Sequence, residues 1–385
     1  MRVSRYHILI PFLLIIGSCI EPYTPVLEES QEVMVISGMI SDSPGRHTVT
    51  VSLSSPYRFP EFKGIENCDV TVINQNGEVI SYFDEGDGIY AAEIPDSYLK
   101  VGDAASIRVL TSDGKEFLSL PDTILACPEL DSVYWELDYI GTNDPSVDLP
   151  GIQFYLDMSG KPSDSRNIIW QVNETWEYWA SLFGTSILYS WSEGEAFYTG
   201  PIFKCWKSYP LDNIYTVSTR NLSLNQIQRM PLNFVSNETD RLSVSYRLLV
   251  KQQSVTLKAF DYWQRMNEQT LSAGTLYETQ PASVPGNIYC TNHPEDEVLG
   301  YFYASQVKTK SVFVHNNNLF DFYVPHIECE YQPLSTLWQR DIIDFPVYIY
   351  SPGPFQPSFW EEEECFDCRV QGGDIIKPEN WESWH

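Results

Sequence analysis

Cysteine and histidine are the residue types in this chain that are best suited to chemistry, and several of them lie close together near the C-terminus. Cys365 and Cys368 have the spacing of a redox-active pair, and the segment 326–329 holds an imidazole, a carboxylate and a thiol. A zinc site would need a second pair of ligands at suitable spacing. A reactive thiol would need a nearby base, which this acidic tail does not offer. The pattern therefore favours disulfides from the tail to Cys329 or Cys205.

Motifs of well-known catalytic families are missing from the sequence. The chain has no H-E-x-x-H, no G-x-S-x-G, no P-loop and no G-x-G-x-x-G. We therefore expect a protein that is not an enzyme and that uses no metal and no cofactor. The alternative is a hydrolase or redox protein that uses His326 or the pair Cys365 and Cys368.

Aromatic side chains are the remaining indication of binding. The chain has 11 Trp, 24 Tyr and 19 Phe, and they are crowded between residues 170 and 209. Their faces stack on sugars and on peptide side chains, and Trp and Tyr are enriched where surfaces bind partners. The alternative is that these rings fill the core of a large β-domain. The candidates for ligand or partner binding are Trp176, Trp179, Tyr189, Trp191, Tyr198 and Trp206.

The N-terminus carries signals for export and lipid attachment. A basic start precedes the apolar run Ile8–Ile16, which is too short to span a bilayer and suits a secretory signal. Two small residues then precede Cys19, as in the cleavage sites of bacterial lipoproteins. We expect residues 1–18 to be a lipoprotein signal peptide and Cys19 to be the lipidated residue.

The charge balance excludes one class of partner. The chain has 24 Lys and Arg against 52 Asp and Glu, which gives a formal net charge of −28. A field of this sign repels phosphate backbones, so we expect no nucleic-acid binding. Nowhere does the chain approach the ~20 apolar residues of a membrane-spanning helix.

The sequence predicts short strands as the elements that position the candidate cysteine, histidine and aromatic residues. After an acidic, Pro-containing tether at 19–32, residues 33–127 contain seven short strands separated by turn residues, which is the pattern of an immunoglobulin-like β-sandwich. Residues 128–385 continue with strands and longer loops and hold all eleven Trp. The sequence predicts a mainly β fold in which the sandwich is followed by a larger, aromatic-rich β domain with a cysteine-containing C-terminal tail.

One segment of the larger domain predicts a helical insertion. Over Ser254–Gln269 the apolar residues fall on one face at 3.6 residues per turn. They are Val255, Ala259, Tyr262, Trp263 and Met266.

A series of short motifs, taken in order, resembles a known family. The motifs are the Cys19 site with Glu21-Pro22-Tyr23, Cys205-Trp206, residues 285–288, residues 298–302, and the tail with Cys365, Cys368, Gly372-Gly373 and Lys377-Pro378. Over essentially the whole mature chain they resemble the Bacteroidota outer-membrane lipoproteins grouped as domain of unknown function 4249. The resemblance implies a cell-envelope lipoprotein, often encoded beside TonB-dependent receptors, and implies no catalytic residues.

Two tripeptides match the Asp-Ser/Thr-aliphatic pattern of O-glycosylation in that bacterial phylum. Residues 122–124 and 131–133 carry it, so Thr123 and Ser132 are possible modification sites. Both lie near the expected domain junction.

Together these observations predict a lipoprotein anchored at the outer membrane by its lipid, on either the periplasmic or the cell-surface face. We expect it to act as an accessory ligand- or partner-binding component of a TonB-dependent transport system. The partners would be the membrane, through the lipid, and a TonB-dependent receptor. The alternative is a structural or assembly lipoprotein of the cell envelope without a small ligand.

Overall fold

Strands dominate the structure, which is a computed structural model. The described residues are 32–55, 61–144, 148–184, 186–190, 194–197, 202–272, 283–319, 323–324, 327–339, 345–351 and 355–381. The fold is mainly β, as the sequence predicts.

A system of hydrogen-bonded strands near the N-terminus forms the first unit. Its first nine strands are β1 (Met34–Ser41), β2 (Gly45–Leu53), β3 (Lys63–Gly64), β4 (Asp69–Asn74), β5 (Val79–Asp84), β6 (Ile89–Ile94), β7 (Ala104–Leu110), β8 (Glu116–Ser119) and β9 (Asp122–Thr123). Three later strands join them, β19 (Ile288–Cys290), β20 (Val298–Leu299) and β21 (Phe302–Ser305). The order is β19-β8-β7-β4-β5-β6-β2-β1-β20, with β21 beside β1, β3 beside β2 and β9 beside β7.

Alternation of apolar residues explains how these strands build a core. In β7 every second residue is buried, namely Ala105, Ile107 and Val109, because successive side chains of a strand point to opposite faces. The same cluster holds Ile36 of β1 and Phe302 of β21. The seven strands expected between residues 33 and 127 are all present, as β1, β2 and β4–β8.

The first unit also contains strands from beyond residue 127, where the sequence predicts that the first domain ends. The strands of residues 288–305 pair with β8 and β1 and not with the larger unit. Gly300, with φ +94°, lies where the strands of residues 288–305 run beside β1. Glycine is needed at this position, because a Cβ would lie 2.0 Å from the carbonyl oxygen of Ile36. Strand alternation in one sequence segment carries no information about a partner strand 264 residues away, as Val298 is from Met34, so the sequence did not reveal this pairing.

In the described part of the chain, the second unit holds three further sheets. One has the order β10 (Glu129–Gly141), β11 (Asp148–Ser159), β17 (Gln226–Ser236). The next has the order β15 (Lys204–Pro210), β12 (Asn167–Trp179), β18 (Ser245–Ser254), β22 (Val307–His315), with β16 (Tyr215–Ser218) beside β12. The last has the order β14 (Gly194–Phe197), β13 (Ser186–Ser190), β24 (Val347–Tyr350), β25 (Phe359–Glu362), β23 (Gln332–Pro333).

Helix α1 (Leu257–Ser272) confirms the predicted helical insertion and lies where the two units meet. Its buried residues Ala259 and Tyr262 pack in one cluster with Ile169 of β12 and with Tyr303 of β21. Just before the helix, Thr256 Oγ1 donates to Asp122 Oδ1 at 2.8 Å, which ties the helix start to the first unit.

The remaining helical segments are short. Among the described residues they are α2 (Glu363–Phe366) and 3-10 turns at Asp240–Leu242, Asn316–Asn318, Leu334–Gln339 and Cys368–Gln371. Among the helices of the described ranges, none has both the length and the apolar composition that crossing a membrane requires.

Candidate ligand-binding site

The central strand β12 carries the candidate site at its C-terminal end. It pairs with β15 so that Glu177 lies opposite Trp206 and Trp179 lies opposite Lys204. Because side chains alternate along a strand, Glu177 and Trp179 share one face of the sheet. Trp176 belongs to the opposite face and packs in the core.

Glu177 is the buried acid that organises this face. Its Oε1 accepts a hydrogen bond from Trp179 Nε1 at 2.7 Å, and its Oε2 accepts one from Trp381 Nε1 at 3.1 Å. Lys204 Nζ lies 2.8 Å from Oε1. The same ammonium group lies over the rings of Trp179 and Trp206, at 5.6 and 5.4 Å from their centroids. One carboxylate and one ammonium group therefore fix the orientation of three indole rings.

Trp179 itself remains half exposed, at 53% of its surface. It lines two adjoining grooves of about 320 and 300 Å³. Polar groups surround the ring: Ser243, Ser245, His315, Asn316 and Asn317 in the first groove, and Ser181, Asp240, Ser243 and Gln371 in the second.

Ser243 connects the two grooves, because it lines both. Its Oγ is buried and has no hydrogen-bond partner among the described residues. An aromatic face beside hydroxyl and amide groups can stack on a sugar ring and hydrogen-bond to its hydroxyls. This arrangement can bind a ligand without any chemical step.

The C-terminal segment of residues 368–381, called the C-terminal strap below, is attached to the same sheet. The backbone of Trp206 exchanges hydrogen bonds of 2.8 and 2.9 Å with Asp374, and a disulfide joins Cys205 to Cys368. Further along, Arg247 Nη1 donates to the carbonyl of Glu379 at 3.1 Å. These contacts of the strap therefore position Trp381 so that its indole reaches the Glu177 carboxylate.

The opposite face of β12 holds a second buried acid. Burial raises the pKa of the Glu174 carboxyl above its ordinary value, although Arg241 and a hydrogen bond from Tyr246 oppose this. Arg241 Nη2 lies 3.1 Å from Glu174 Oε1, and its guanidinium also lies over the ring of Trp176. These contacts are part of the packed interior, so they stabilise the strand β12 that carries the site.

The structure corrects part of the aromatic prediction. Trp176 and Trp206 are only 5% and 7% exposed, so they are core residues and cannot stack on a molecule from solvent. Tyr189 is exposed but belongs to the sheet of β13. Trp191 and Tyr198 lie outside the described residues, as does Cys19.

The cysteines of the tail form two bridges, Cys205–Cys368 and Cys329–Cys365. Cys365 and Cys368 are therefore joined to different partners and not to each other, and His326 lies outside the described residues. Three thiols of the described chain are free and buried: Cys68, Cys127 and Cys290. Within the same residues no three His, Cys, Asp or Glu side chains are grouped so that they could hold a metal ion.

Both candidate glycosylation residues lie in strands. Thr123 pairs with Ala104 of β7 and is partly buried. Ser132 is also partly buried, in β10, and its Oγ donates to Asp157 Oδ2 at 2.7 Å.

Sequence reasoning missed Glu177, Lys204 and Trp381. Strand alternation along β12 was the signal that places Glu177 beside Trp179. No sequence signal brings Trp381 to the same carboxylate, because that contact depends on the strap.

Comparison with known proteins gives a family and little else. No curated protein matches the chain. Among solved structures, the native conformation of E. coli alpha-2-macroglobulin is similar over 58% of this chain and 13% of that chain, with 11% identity and a TM-score of 0.19. The chain thus spans a small part of the length of that protein. The family model described as a domain of unknown function (DUF4249) matches residues 20–311. The chain belongs to this family.

Proposed function

We propose that the protein is a lipoprotein, lipidated at Cys19 and anchored at the outer membrane, that serves as an accessory binding component of a TonB-dependent transport system. The observation that carries the binding role is the half-exposed Trp179 between two polar grooves. Exposed Trp side chains are enriched where protein surfaces bind partners, because the ring offers a large apolar face together with a polar N–H group.

The surroundings of Trp179 favour a neutral sugar chain as the ligand. Ser245, Asn316 and Asn317 supply a hydroxyl and two amides, which are donors and acceptors suited to sugar hydroxyls. His315 also lines the groove, and its Nδ1 lies 2.9 Å from Ser245 Oγ. The concave shape supports capture of a ligand over docking of a flat protein surface.

A non-enzymatic role is part of this proposal. The groups that surround Trp179 bind and orient, and Cys365 and Cys368, the pair of the redox alternative, are each held in a separate bridge. A structural or assembly role in the cell envelope is the second candidate. The burial of Trp176 and Trp206 favours it, since these rings contribute to stability and not to a binding surface.

The transport role is tested by affinity purification of the full chain from detergent-solubilised outer membrane, with the Cys19→Ala variant as the matched control. We expect a TonB-dependent receptor to co-purify with the wild type, and radiolabelled palmitate to enter the wild type and not the variant. The transport role is contradicted if no receptor co-purifies and deletion of the gene changes the uptake of no tested nutrient. Equal labelling of the two chains would contradict lipidation at Cys19.

A further inference from the structure

A second cleft, separate from the grooves at Trp179, lies between the two units. It has a volume of about 530 Å³, within the range of about 300–1,000 Å³ that is typical of small-molecule sites. Met39 of β1 and Thr48 of β2 line it from the first unit, and Gln171 of β12 and Lys251 of β18 line it from the second. Trp263 of α1 completes the lining. Junctions between domains are frequent places for ligand sites.

The charge of this cleft is opposite to that of the whole chain. Arg46 and Lys251 line it, and no Asp or Glu is among its described lining residues, although the chain has a net charge of −28. The ammonium group of Lys251 makes no ion pair within the described ranges. Arg46 does pair with Glu85, through Nη2.

Asp42 is the acid nearest in sequence to the lining, between Ser41 and Ser43. Its Oδ2 accepts from Gln306 Nε2 at 2.7 Å, and its Oδ1 accepts from the backbone of Val307 at 3.4 Å. Asp42 is therefore engaged in holding the units together. A ligand in the cleft would therefore meet Lys251, and it would meet Arg46 beside the ion pair that Arg46 makes with Glu85.

Hydroxyl groups and an aromatic pair supply the rest of the lining. The hydroxyls of Ser37, Thr48 and Thr309 line the cleft and have no hydrogen-bond partner in the described part of the chain. Trp263 packs edge-on against Tyr303 with ring centroids 5.9 Å apart. The Nε1 of Trp263 is buried and, among the described residues, has no acceptor.

From this lining we propose that the cleft binds a carboxylate that carries several hydroxyl groups, which is the chemistry of a sugar acid. The carboxylate would pair with Lys251 and Arg46, and the hydroxyls would hydrogen-bond to Ser37, Thr48 and Thr309. The ring of the ligand would lie against Trp263. This site is independent of the grooves at Trp179, and its ligand differs by its negative charge.

The test is isothermal titration calorimetry of the full chain, kept in detergent. The ligands are a trisaccharide of galacturonic acid (the acidic trimer), a trisaccharide of galactose (the neutral trimer) and inorganic phosphate. We expect the acidic trimer to bind at least tenfold more tightly than the neutral trimer or phosphate. The double variant Arg46→Gln with Lys251→Gln should lose at least tenfold in affinity for the acidic trimer. Lys258→Gln is the matched control, because Lys258 is an exposed lysine of α1 that does not line the cleft.

Three results would overturn the proposal. In the first, the acidic trimer fails to bind. In the second, phosphate or the neutral trimer binds as tightly as the acidic trimer. In the third, Lys258→Gln and the double variant lose the same amount of affinity for the acidic trimer. Thermal unfolding of each variant checks the fold. If the double variant is less stable, Trp263→Phe provides a second measurement, in which the affinity for the acidic trimer should again fall.

Discussion

Glu177 holds Trp179 in place through a 2.7 Å hydrogen bond from the indole Nε1 to the carboxylate Oε1. The carboxylate is almost completely buried, whereas the ring that it orients is half exposed. Because its second oxygen accepts from Trp381, the carboxylate also connects Trp179 to the C-terminal strap. A rigid, oriented aromatic face loses less entropy when it binds than a mobile one does.

The first prediction concerns this carboxylate. Glu177→Gln keeps one acceptor oxygen but removes the second and the ion pair with Lys204, so it should lower the free energy of unfolding by about 2 kcal/mol. Chemical denaturation measures this loss, and the indole N–H resonance of Trp179 should shift. Glu364→Gln, at an exposed position, is the control and should leave both unchanged. A Glu177→Gln protein with wild-type stability would contradict the organising role of Glu177.

The two disulfides should differ in their contributions to stability. Cys205–Cys368 spans 163 residues and Cys329–Cys365 spans 36. Since a longer closed loop restricts the unfolded chain more, replacing the first pair by Ala should cost about 1 kcal/mol more than replacing the second. Urea denaturation of the two double variants makes the comparison, with Cys290→Ala, a free buried thiol, as a reference. An equal or larger loss for the shorter loop would contradict this expectation.

Gly300 should tolerate alanine much less well than another glycine with positive φ. At Gly300 a Cβ would lie 2.0 Å from the Ile36 carbonyl oxygen, whereas at Gly102, with φ +98°, it would meet nothing within 4 Å. Gly102→Ala should therefore cost only the backbone strain, about 1–2 kcal/mol, and Gly300→Ala should cost clearly more. Thermal unfolding of the pair is the measurement. Equal losses of stability would show that the pairing of residues 288–305 with the first unit does not depend on the close approach of Gly300 to Ile36.

Asp122 should give the junction of the units a pH dependence. Burial raises the pKa of its carboxyl, against hydrogen bonds from Thr256 and from the backbone of Ala304. The folded chain then holds this proton more tightly than the unfolded chain does. Its contribution to stability therefore falls as the pH rises from the ordinary value of 3.8 through the raised pKa.

The Asp122→Asn variant exchanges no proton at this position. The free energy of unfolding of the variant, minus that of the wild type, should therefore increase with pH across the same interval. Denaturation at a series of pH values measures this difference. Parallel profiles for the two proteins would contradict the raised pKa of Asp122.

The sequence predicts local elements well because their signals are local. Helix α1 was recognisable from the spacing of Ala259 and Tyr262, which are buried in the structure, whereas Val255, which the same spacing includes, is buried just before the helix. The seven strands of residues 33–127 were recognisable from turn residues and alternation. Their assembly with residues 288–305 was not, because the reciprocal hydrogen bonds of Asn287 with Phe302, at 2.7 and 3.0 Å, depend on the folded chain.

The candidate site was predicted only in part. Trp179 and Trp176 are equally aromatic in the sequence, yet strand alternation places one ring at the surface and the other in the core. The deciding contacts come from Trp381 and from Lys204, which reach Glu177 from the strap and from β15. A sequence pattern does not encode which distant residues will share one carboxylate.

The most direct test of the binding role is isothermal titration of the full chain with neutral oligosaccharides of glucose, xylose, mannose and galactose. Trp179→Ala is compared with Tyr139→Ala, which removes another exposed aromatic ring, on β10. We predict that at least one oligosaccharide binds the wild type and Tyr139→Ala alike, and that Trp179→Ala binds it at least tenfold more weakly, a loss of about 1.4 kcal/mol. Binding of none of these sugars, or equal affinity in Trp179→Ala and wild type, would contradict the assignment of Trp179 as the ligand platform.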